Sequence, residues 1–94
     1  MIEYKVKVYD DSTEWFLNNE YHREDGPAIE YANGDKSWWI DDKLHRVDGP
    51  ACEYANGYKE WYIDGKNLTE EQFNIHPKRA NHLFTLELEE VLNG

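Results

Sequence analysis

The sequence predicts a mainly β protein: an antiparallel β-meander of about three 23-residue hairpin repeats in an open sheet, covered by a short C-terminal helical segment. Three observations predict it. Trp15, Trp38 and Trp61 recur every 23 residues, as do His22/His45, Arg23/Arg46, Asp25/Asp48, Gly26/Gly49 and Pro27/Pro50, which is the signature of a repeated supersecondary unit. Asn33-Gly34 and Asn56-Gly57 each interrupt two runs of alternating polarity, a strong hairpin signal. After Leu68 the period changes, and Thr69-Glu70-Glu71-Gln72 has the form of a helix capping box.

The elements follow in order. The first unit, residues 1–21, is degenerate and turns at Asp10-Asp11, with Val6, Val8, Trp15 and Leu17 on one face. The second, residues 22–44, turns at Asn33-Gly34. A two-residue loop with both turn residues at positive φ pairs Tyr31 with Lys36, Ile29 with Trp38 and Ala28 with Trp39. One face then collects Ile29, Tyr31, Trp38 and Ile40. The third, residues 45–68, puts Cys52, Tyr54, Trp61 and Ile63 on the same side. Asp41-Asp42 and Asp64-Gly65 make a second turn in each unit, and the glycines all serve turns.

Residues 69–94 form a helical cap. A short helix runs through Phe73, and Pro77 opens a second. Phe84, Leu88, Val91 and Leu92 form one helical stripe, while Leu83 to Leu88 also alternates like a strand. In either conformation this tail is the expected cover for the apolar face.

Ninety-four residues make one domain with a modest core. Aromatics are 15% of the chain against 39% hydrophobics in all, so large rings are expected to do the burying. Twenty acids against ten bases give a net charge of -10, which argues against direct nucleic-acid binding and against docking on an anionic membrane. Cys52 is the only cysteine; it excludes an internal disulfide, fits a reducing compartment and replaces Ile29 of the preceding unit, as a small core hydrophobe would. With no apolar stretch of signal-peptide or membrane-span length, a cytoplasmic protein is expected.

His22-Arg23-Glu24-Asp25-Gly26-Pro27-Ala28 and His45-Arg46-Val47-Asp48-Gly49-Pro50-Ala51, each followed by Asn-Gly and a Trp-bearing strand, resemble the tandem "HRxDGPA" MORN-like repeat proteins common in bacteriophage and large-virus genomes. The resemblance covers roughly residues 15–73. It implies a small β-repeat accessory protein acting on host machinery, host defence included.

His22 and Asp25 suggest acid-base catalysis, yet the pair occurs twice. A structural role is the simpler reading, with Asp25 and Asp48 holding the Gly-Pro turn through backbone amides and Arg23 and Arg46 pairing with Glu30 and Glu53. No catalytic residues, metal site or cofactor are assigned. The residues without a sufficient structural reason are Phe16, Trp39 and Tyr62, one large ring per unit on the polar face. Either they fill a second small core under the segments bearing Leu44 and Leu68, or they form a binding stripe with Tyr58 and Tyr21 nearby and Arg23 and Arg46 at its border. The favoured function is non-catalytic capture or inhibition of a host protein. The alternatives are a sponge for a nucleotide-type small molecule, with a ring such as Trp39 on its base and Arg23, Arg46 or Lys66 on its phosphates, and an acidic nucleic-acid mimic. A homo-oligomer contact is left open.

Overall fold

The computed structural model describes residues 3–93. Ten strands and two helices follow in chain order: β1 (Lys5–Val8), β2 (Ser12–Leu17), β3 (Glu20–Tyr21), β4 (Ile29–Tyr31), β5 (Lys36–Ser37), β6 (Trp39–Ile40), β7 (Lys43–Leu44), β8 (Cys52–Glu53), β9 (Lys59–Ile63), β10 (Lys66–Leu68), α1 (Glu70–Asn74) and α2 (Pro77–Asn93). The main sheet runs β1-β2-β4-β5-β8-β9-β10 with β3 on β2, and β6-β7 is a separate ribbon. Every pairing is antiparallel, and among the described residues the sheet stays open, as expected.

The first hairpin has its expected two-residue turn, with Val6 opposite Trp15 and Val8 opposite Thr13. The two Asn-Gly hairpins depart from expectation by one residue. Ile29 lies opposite Ser37, not Trp38, and Glu30 lies opposite Lys36; Cys52 lies opposite Glu60. The connection is a three-residue loop, Ala32-Asn33-Gly34, closed by Tyr31 N–H to Asp35 O at 2.8 Å. Only the glycines have positive φ, +101° at Gly34 and +92° at Gly57, the geometry of a three-residue loop ending in a glycine bulge. The asparagine works through its side chain instead: Asn33 Oδ1 accepts the Asp35 amide and Asn56 Oδ1 the Tyr58 amide, each at 2.9 Å. Turns with both residues at positive φ occur at the other end of each unit, at Asn18-Asn19, Asp41-Asp42 and Asp64-Gly65.

A slip of one residue moves every side chain of a strand to the opposite face. Ile29, Tyr31, Cys52 and Tyr54 therefore leave the face expected for them and join Phe16, Trp39 and Tyr62. The other face carries Trp15, Trp38 and Trp61 beside Ala28 and Ala51, which are fully buried.

On that tryptophan face the repeat motif builds itself. The Arg23 guanidinium lies 3.8 Å from the Trp15 ring centre, and Arg46 lies 3.8 Å from that of Trp38. The other side of each guanidinium rests on a glycine: a Cβ on Gly26 would sit 2.9 Å from Arg23 Cζ, and one on Gly49 2.8 Å from Arg46 Cζ. These two glycines thus permit close approach and are not needed for a positive φ. Arg23 Nε donates to Asp25 and Arg46 Nε to Asp48, at 3.0 and 2.7 Å, so the aspartates hold the arginines and not the turn amides. The expected ion pairs to Glu30 and Glu53 are present at 3.4 and 3.1 Å.

Each histidine also serves its own unit. His22 Nδ1 accepts the Asp41 amide at 3.1 Å, and His45 Nδ1 accepts the Asp64 amide at 3.0 Å. Units join through Trp15 N–H to Ala28 O and Trp38 N–H to Ala51 O.

The expected large-ring core is replaced by a thinner one. Among the described residues the buried apolar ones are Ala28, Ile29, Ala51, Cys52, Ile63 and Phe73, while the three repeat tryptophans are half-buried. In the first two units no second layer encloses the indole, and Arg23 covers Trp15 and Arg46 covers Trp38 instead.

The capping box forms: Thr69 Oγ1 accepts the Gln72 amide and Gln72 Oε1 accepts the Thr69 amide. Phe73, only 2% exposed, carries α1 onto the third unit. Arg79 lies over its ring and donates to Val47 O at 2.7 Å, and Lys78 pairs with Asp64. Residues 83–92 are helix and not strand. Leu83, Phe84 and Leu86 are exposed, so the cover that the described side chains show comes mainly from α1 and the start of α2. Leu88, Val91 and Leu92 of the expected stripe lie outside the described side chains.

Candidate binding face

Phe16, Trp39 and Tyr62 do share a face, and all three are half-buried. They are neither a bare stripe nor a closed second core. Phe16 stacks on its cross-strand partner Tyr21 with ring centres 4.8 Å apart, and Tyr21 lies 5.4 Å from Trp39. Trp39 faces Leu44 across its ribbon, as the small-core alternative expects. Leu68 faces Trp61, however, and Tyr62 faces Asn67.

The register change adds residues to this face. Tyr31, Trp39, Leu44 and Tyr54 wall a groove of about 370 Å³, with Ser37 and Cys52 between them. Tyr31 and Tyr54 are 45% and 37% exposed, and Tyr58, 61% exposed, lies 5.6 Å from Tyr54. Neither Tyr31 nor Tyr54 is expected here from polarity alternation, because each alternates correctly within its own strand. The detectable signal is the alanine before each Asn-Gly, which supplies the third loop residue.

The groove's polar groups are largely committed. Trp39 Nε1 donates to Ser37 Oγ at 2.8 Å and Tyr54 donates to Glu60 Oε1 at 2.6 Å. That bond to the carboxylate, with burial second, pushes the Tyr54 phenol well above its usual value. Burial, then the Glu60 charge, pushes the Cys52 thiol up to about 11. Tyr21 is raised by burial and by donating to Glu14, which also accepts from Ser12.

Arg23 and Arg46 do not border this groove. They lie on the tryptophan face, bonded to Asp25, Asp48, Glu30 and Glu53. An opening of about 660 Å³ on that side runs between their two corners, with Trp38, His45 and His82 beside it. His22 and His45 are bonded to separate turns and do not converge. Among the described residues, no three or more His, Cys, Asp or Glu side chains are placed to hold a metal ion, and no helix is long and apolar enough to cross a membrane.

The fold and this face together define an open β-hairpin repeat protein with an aromatic groove. No family model, curated protein or solved structure matches the chain.

Proposed function

We propose that this chain is a non-catalytic binding module that captures a host protein through the aromatic face of its hairpin repeats, as an accessory protein of the phage repeat type it resembles would. The observation that carries this is the groove walled by Tyr31, Trp39 and Tyr54, with two of its rings more than a third exposed. Tyrosine and tryptophan dominate interface energetics because they bury a large area at little cost in side-chain entropy. The groups that would be first suspected of acid-base chemistry, His22, His45, Asp25 and Asp48, are spent on turns and arginines. The arginines expected on the phosphates of a nucleotide, Arg23 and Arg46, are stacked on Trp15 and Trp38 instead, which leaves Lys36 as the cation lining the groove beside Trp39.

The test is capture of a partner from a bacterial lysate by the full chain, followed by calorimetry with that partner purified. The pair Tyr31→Ala and Tyr54→Ala is expected to weaken binding by about tenfold or more, with the unfolding midpoint held within a few degrees. Unchanged affinity removes the proposal. An acidic nucleic-acid mimic would instead lose affinity steeply with added salt.

A further inference from the structure

We infer that the groove between Tyr31 and Tyr54 takes a polyproline II segment with prolines three residues apart and a basic residue at one end, a reading that rests on the binding face proposed above. Tyr31 ends β4, Tyr54 directly follows β8, and β5 lies between these two strands. Asp35 is the middle member of the row: its carbonyl accepts the Tyr31 amide at 2.8 Å, and its carboxylate accepts the Ala55 amide at 2.7 Å.

The spacing selects the ligand. Two strand separations amount to about 9.6 Å. A polyproline II helix brings the same edge round every three residues, about 9.3 Å. A β-strand repeats a face every ~6.7 Å and an α-helix at ~5.4 Å and, seven residues on, ~10.5 Å, so the polyproline II repeat is the nearest match to the spacing of the two tyrosines. A polyproline II segment laid across the strands, along the repeat axis, puts one proline against each ring.

The chemistry agrees with the geometry. Trp39 Nε1 and the Tyr54 hydroxyl already donate within the protein, so the walls offer flat apolar surface more than new hydrogen bonds. Proline has no N–H to satisfy, and a polyproline II backbone stays solvated on its outer side. Aromatic grooves exploit this in peptide recognition generally. The charge of the ligand follows from Asp35 at the rim of a chain of net charge -10. Lys36 also lines the groove, but its strand position is flanked by Glu30 and Glu53 on the neighbouring strands.

Titration of the full chain, followed by calorimetry and tryptophan fluorescence, with a short amidated peptide carrying one arginine and three prolines at three-residue spacing tests this. The control is an isomer of the same composition with the prolines two residues apart. Saturable binding is expected for the first peptide, weaker by about tenfold or more for the isomer. A similar loss is expected on Tyr54→Ala and, independently, on Tyr31→Ala. Absence of saturable binding overturns the inference, as does equal binding of the isomer or indifference to both substitutions. Failure here is separable from failure of the binding face. A captured partner that needs Tyr31 and Tyr54 but is not displaced by the peptide defeats only the polyproline reading; a partner indifferent to both tyrosines defeats both.

Discussion

Arg46 holds its guanidinium 3.8 Å from the centre of the Trp38 ring, with Gly49 on its opposite side. The repeat motif is thus a three-layer sandwich of indole, guanidinium and bare backbone, tied at its edge by Asp48 and Glu53.

Gly49→Ala places a methyl group 2.8 Å from Arg46 Cζ, so it is expected to destabilise the chain by about 1–3 kcal/mol. Arg46→Ala removes the stacking and the bonds to Asp48, Pro50 O and Glu53, at a cost of similar size, about 1–3 kcal/mol. Because both changes act on one contact, the double variant should be less destabilised than the sum. Urea unfolding of the four proteins measures this; strict additivity would contradict the sandwich.

Burial, assisted by the charges of Lys78 and His76 and opposed by Asp64, holds the His45 imidazole below its usual 6.5. The unfolded chain therefore takes up the proton first. Stability should be at its full value above about pH 6.5 and fall as pH drops through the window between that value and the lower folded one. Asp64 is held below its usual 3.8 mainly by Lys78, so its contribution is lost in a separate, more acid window. His45→Gln should flatten the first slope in unfolding measurements from pH 7.5 to 5; an unaltered slope would place the titration elsewhere.

With its thiol pushed up to about 11 from 9.0, Cys52 should carry about 100-fold less thiolate near pH 8 than an unperturbed cysteine, and burial slows reagent access further. Alkylation of the folded chain is expected to be at least that much slower than in urea. Comparable rates would show that the groove floor opens readily.

Phe73 and Phe84 lie on neighbouring helices with opposite exposure, 2% and 61%. Phe73→Ala is expected to cost about 3 kcal/mol or more, whereas Phe84→Ala should stay within about 0.5 kcal/mol. Thermal unfolding of the two variants distinguishes them. A large loss at Phe84 would mean that the exposed part of α2 packs on something after all.

Much of this molecule can be read from its residues taken in order. The period of 23, the turn sites, the Thr69–Gln72 capping box and the pairing of Arg23 with Glu30 are local or repeated features, so their spacing along the chain suffices to place them. Which face a ring occupies is another kind of fact. Ala32-Asn33-Gly34 and a bare Asn33-Gly34 turn differ by one residue, and polarity alternation is equally satisfied by both registers. The choice rests on contacts between segments distant in sequence: Trp38 can meet Arg46 and its glycine only if it stands beside Ala28 and Ala51, whose small side chains leave the indole room. The same tertiary requirement sends Tyr31 and Tyr54 to the side of Trp39. The chain alone therefore determined the repeat and its punctuation, while close packing across the units decided which aromatic residues build the protein and which line its groove.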